Sequence, residues 1–157
     1  MISVVTRRRA LAGLFAIGIA GASACTGPTT HGQASTALTG ALEDAASAVE
    51  TCDLTLGLLV QRRLTAAVAD TALLDQIRVL EESTSALTTL VPPAELGQAR
   101  SSALSALGAA SAAVVEARAW VSGELGAADG PGAAAEVSEA LADAGEQIDD
   151  ALAQVGP

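Results

Sequence analysis

The stretch TALTGALEDAASAVETCDLTLGLLV, residues 36–60, decides the fold. Leu38, Leu42, Ala45, Val49, Cys52, Leu56 and Leu59 recur in it at steps of three and four. That is the repeat of a helix with one apolar face. Such a face must be buried against something, so the stretch implies further helices of the same kind.

Three more stripes answer it. Leu73, Ile77, Leu80, Thr84, Leu87 and Val91 form the second. Leu96, Ala103, Leu107, Ala110, Val114, Ala117 and Val121 form the third, with Arg100 as a polar intrusion. Ala134, Val137, Leu141, Ala144, Ile148, Ala151 and Val155 form the fourth. Ala alternates with larger residues in several stripes, so the helices are expected to approach closely.

The junctions are unequally marked. Pro92-Pro93 ends the second helix, since Pro suits a first helical turn and not an interior. Gly123, Gly126, Gly130, Pro131 and Gly132 mark a loop before the fourth. Between Leu58 and Pro92 there is neither Gly nor Pro. The apolar register runs on to Arg63, Ala66 and Asp70, but charges at two consecutive seam positions spoil a continuous stripe. A turn is therefore expected near residues 63–70, with Asp70 as a helix cap. The expectation is all-α, an antiparallel up-down four-helix bundle spanning residues 36–157. The alternative is a three-helix arrangement with one long helix over about residues 36–91.

Composition agrees. The 157 residues include 37 Ala, no Tyr, one Trp and one Phe. Ala favours helix and aromatic residues favour strands. There are eight Arg and no Lys.

The first 24 residues read as an export signal. Arg7, Arg8 and Arg9 precede fifteen apolar or small residues, Ala10 to Ala24. A membrane span needs about 20, so this segment fits a cleavable signal better. Ala22-Ser23-Ala24 satisfies the small-x-small rule for ordinary cleavage. With the next residue, Ala22-Ser23-Ala24-Cys25 resembles the lipobox of bacterial secreted lipoproteins, with Ala22 where Leu is usual. That resemblance implies an acylated Cys25 as the mature N-terminus and anchorage to the outer face of the cell membrane. Ordinary cleavage would instead give a soluble secreted protein. The arginine run also bears a weaker resemblance to a twin-arginine export signal, with Ala10 where a bulky residue is usual. Residues 25–35 read as a flexible polar tether.

Removing residues 1–24 takes three Arg and no acid, leaving five Arg against 18 acids, a formal charge of −13. That acidity speaks against nucleic acid, which needs basic patches. It also speaks against electrostatic attraction to an anionic bilayer. The membrane is therefore expected as a partner only through lipid on Cys25, where several acyl chains suffice for stable anchoring.

Catalytic inventories fail on the residues. A di-iron site needs Glu-x-x-His pairs, and the single His31 lies in the expected tether. Haem would have to use His31 or a Cys, with no mature Met or Tyr to serve. A hydrolytic triad needs a His held beside its nucleophile. The phosphate loop Gly-x-x-x-x-Gly-Lys needs Lys. No cofactor and no enzymatic activity are expected. Cys52, on the first stripe, is expected to be an inert buried thiol. Disulfide pairing with Cys25 is the alternative if that Cys is not acylated.

Glu136, Glu139, Asp143, Glu146 and Asp150 follow 3, 4, 3, 4 spacing opposite the fourth stripe. They are expected to form a solvated outer face and are the candidate docking strip for a partner. Trp120 is expected to cover the side of the third seam, or to anchor an interface. Arg62 and Arg63 are expected at the first hairpin tip, where a partner could touch them. The function these features imply is a non-catalytic cell-envelope lipoprotein, a helical interaction module for an unidentified envelope protein. The alternative is an extracytoplasmic carrier holding a small apolar ligand in the bundle core. Self-association into a larger bundle is a third possibility.

Overall fold

The computed structural model describes residues 29–123 and 130–155. Helices α1 (His31–Val60), α2 (Ala66–Thr89), α3 (Gly97–Val121) and α4 (Gly130–Val155) follow one another, with a 3₁₀ turn at Ala94–Leu96 before α3. The fold is an antiparallel four-helix bundle. Each helix packs on the next, α4 closes on α1, and α1 also packs on α3 across the short diagonal. Polar contacts fix the directions. Arg100 at the start of α3 reaches the end of α2, Ser102 donates to Gln154 at the end of α4, and Arg118 near the end of α3 meets Asp70 near the start of α2.

The four stripes are the core. Leu38, Leu42, Cys52, Leu73, Leu80, Leu87, Leu107, Val114 and Ile148 are completely buried. Small residues accompany them on the two helices of the short diagonal. Ala34, Ala41, Ala45 and Ala48 are buried on α1, and Ala99, Ala103, Ala106, Ala110, Ala113 and Ala117 on α3. Without side chains beyond Cβ, two backbones can come close, as the alternation of Ala with larger residues implies. Ala94–Val121 is long and apolar enough by composition to cross a membrane. In the bundle its Leu96-to-Ala117 stripe is buried against the other helices.

Helix ends depart from the sequence expectations in five places. First, α1 begins at His31, so residues 31–35 are helix and not tether. Thr30 and Gln33 form a capping box. The Gln33 N–H donates to Thr30 Oγ1, and the Thr30 N–H donates to Gln33 Oε1. This satisfies two backbone donors at once.

Second, the expected turn between the first two stripes is present but begins earlier, at residues 61–65, overlapping the expected 63–70, and the three-helix alternative is excluded. α1 closes with a Schellman motif. The Arg63 N–H donates to the Leu58 carbonyl and the Arg62 N–H to the Leu59 carbonyl. The motif needs a left-handed residue after the C-cap, usually Gly. Here Arg62 adopts it, with φ of 57°. α3 likewise ends at a left-handed residue, Gly123, φ 77°, whose N–H donates to the Trp120 carbonyl. Arg62→Gly will therefore stabilise the bundle by about 0.5–1 kcal/mol, because Gly occupies that region without the Cβ clash. Urea unfolding would measure it. An unchanged or lower midpoint would show that Arg62 is not strained.

Third, Thr65 and not Asp70 caps α2, by accepting from the Val68 N–H. Fourth, α2 ends at Thr89, so Val91 lies outside the helix and is exposed, while Ser83 is buried beside a half-buried Thr84. Fifth, Gly130, Pro131 and Gly132 belong to the first turn of α4 and not to the preceding loop. A Pro in that turn forfeits no internal hydrogen bond. Gly126, the signal segment, Cys25 and residues 26–28 lie outside the described residues.

Candidate functional site

The acidic strip of α4 forms a continuous exposed face. Glu136, Glu139, Asp143, Glu146 and Asp150 are all exposed, as is Asp149. None has an ion-pair partner among the described residues. Carboxylates three and four positions apart repel by a few tenths of a kcal/mol per pair, and solvent screens that repulsion here. Among the described residues no three His, Cys, Asp or Glu side chains converge as a metal site requires.

The opposite ends of the bundle differ. The N-terminal pole holds the starts of α1 and α3 and the ends of α2 and α4. There Arg100 is half-buried, its Nε donating to the Leu87 carbonyl and its Nη2 to the Thr88 carbonyl, each at 2.8 Å. It thus satisfies carbonyls that the end of α2 would leave open, which is the physical role of the one charge on the third stripe.

The far pole holds the α1–α2 turn, with Arg62 and Arg63 both exposed. Beside it a groove of about 420 Å³ opens between the start of α2 and the end of α3. Ile77, Val115 and Val121 give it apolar walls, and Asp70 and Arg118 give it a polar rim. Arg118 Nε donates to Asp70 Oδ1 at 2.8 Å. Both side chains remain partly exposed, so the pair contributes little to stability and leaves further guanidinium N–H groups for other acceptors. Among the described residues, four of the five large apolar side chains that stand exposed, Leu54, Val60, Val68 and Val115, lie on this half of the bundle. Trp120 is half-buried against the core at the same end.

Neither Arg118 nor the groove is evident from the sequence. The pair joins residues 48 positions apart, and the only hint is that Asp70 interrupts an apolar register. The described grooves lie on the sides of the bundle, while the axis is filled by Leu and Ile.

Cys52 is fully buried and free. Burial pushes its thiol from 9.0 up to about 12, since a thiolate there would lose its hydration. A reactive cysteine needs the reverse. Disulfide pairing with Cys25 is incompatible with α1. Cys52 lies about 33 Å along the helix from Thr30, at 1.5 Å per residue. Five chain steps from Thr30 take Cys25 at most about 18 Å. A disulfide needs the two Cα atoms within about 7 Å. His31 is exposed, but as the first residue of α1.

The chain matches no known family model, no curated protein and no solved structure. Any functional reading therefore stands on its own residues.

Proposed function

We propose that the protein is a non-catalytic lipoprotein of the cell envelope, a helical interaction module tethered to the outer face of the membrane through acylated Cys25. The observation that carries the reading is the position of Cys25. It directly follows Ala22-Ser23-Ala24 and an apolar signal segment, and the only other Cys is buried out of its reach. A Cys kept at a cleavage site with no partner in its own chain is the chemistry that N-terminal acylation uses. The bundle then has the role of a presented surface. Leu54, Val60, Val68, Val115 and the groove lie on the far half, and a strip of acids lies along α4.

Cys25→Ser will move the protein from the membrane fraction to the soluble extracytoplasmic fraction. Mass spectrometry of the wild-type N-terminus will show an acylated Cys25 with residues 1–24 removed. A mature chain starting at Cys25 without acyl mass, or an uncleaved chain, would overturn the reading. Partner docking is tested separately by Val115→Asp, which places a charge on the groove wall at an exposed position and leaves the core intact.

A further inference from the structure

We propose that the bundle stands on the bilayer by its N-terminal pole and that the α2–α3 connection, Leu90 to Pro93, is its contact with the lipid surface. This rests on the acylation of Cys25 proposed above. The capping box at Thr30 and Gln33 fixes where ordered helix begins. Five chain steps separate Thr30 from Cys25, so the start of α1 lies within about 18 Å of the anchored residue. The end of α2 shares that pole, because the bundle is antiparallel.

The connection suits a lipid interface. Val91 is 73% exposed, the most exposed large apolar residue among those described. Pro92 and Pro93 follow, and neither has an N–H to strip of water. The Leu87 and Thr88 carbonyls beneath are already satisfied by Arg100, so approach to lipid leaves them paired. The connection itself carries no charge. Exposed acids on this half of the bundle include Glu95 within the 3₁₀ turn, Glu82 on α2, and Asp149 and Asp150 in the last turns of α4.

Charge selects this posture over one lying on α4. Lying on α4 would press Glu136, Glu139, Asp143, Glu146 and Asp150 against anionic headgroups. Standing on the pole lifts most of that strip beyond the roughly 8 Å over which charges act at physiological salt. It also places the groove of Asp70 and Arg118 about 30 Å from the bilayer, the stretch of α2 from Asp70 to Leu90 at the standard rise.

The test uses the full exported chain with its Cys25 modification verified by mass. Val91→Cys and Arg63→Cys, both at exposed positions, are labelled with a small fluorophore; buried Cys52 stays unlabelled. The proteins are reconstituted into phosphatidylethanolamine–phosphatidylglycerol vesicles carrying a headgroup quencher. The label at position 91 is expected to lose most of its emission, and that at 63 to keep it. Equal quenching, or quenching at 63 alone, on an acylated chain would overturn the orientation and leave the anchor standing. An unmodified Cys25 would remove the anchor and the orientation with it.

Discussion

Leu107→Ala will cost the bundle about 2–5 kcal/mol, the range for deleting a fully buried Leu whose surroundings cannot collapse. Leu107 is completely buried on α3, which, like α1, touches all three other helices. The neighbouring buried positions on α3 are Ala103, Ala106 and Ala110. They have no longer side chain to swing into the void, which places the loss towards the upper end. Against a typical total of about 5–15 kcal/mol, this is a large share of the fold's stability. Thermal or urea unfolding of the bundle followed by circular dichroism would measure it. A loss below about 1 kcal/mol would mean that the site repacks and that α3 is not the centre of the core.

The second large effect concerns Cys52. Its thiol, raised from 9.0 to about 12 by burial, will react with a thiol reagent at pH 8 roughly a thousandfold more slowly than a free cysteine, one factor of ten per unit of displaced pKa. Full reactivity returns in denaturant. Stoichiometric labelling of the native protein within minutes would contradict the burial.

The same displacement predicts a pH dependence. The folded chain holds the proton more tightly than the unfolded one. The contribution is therefore fully present below the unfolded value near 9 and is lost as pH rises through the folded value near 12,. Few proteins isolate such an effect. The chain has no Lys and no Tyr, so nothing but Arg and Cys side chains remains to titrate in that window. Alkaline weakening of the wild type, absent in Cys52→Ala, is the expected pair of results.

The helices and their buried faces were legible because burial in a bundle follows the same spacing of three and four that the sequence displays. Leu38, Leu42, Val49, Cys52 and Leu56 are buried as that spacing requires, and the acids from Glu136 to Asp150 are exposed for the same reason. The α1–α2 turn was legible only as an interruption. Left-handed backbone is advertised by Gly at Gly123, but Arg62 takes it with nothing in its chemistry to announce the fact. Thr30 and Gln33 did carry a readable sign, the spacing of a capping box, within a stretch whose polar, Gly-containing composition suggested a tether. The groove was beyond reach. It depends on which helices become neighbours, and Asp70 and Arg118 meet only because the chain reverses between α2 and α3.

Trp120 has a practical consequence. It is the only Trp in a chain without Tyr, and the single Phe is Phe15, far along the chain from it. Every photon emitted on excitation near 295 nm, a wavelength chosen for indole, comes from one place beside the groove at the far pole, with the indole partly shielded by α3's neighbours. The bundle thus has an intrinsic optical reporter at the end proposed for docking. A ligand or partner seated there will register as a spectral shift without any label, and one that binds at the N-terminal pole will leave the emission unaltered.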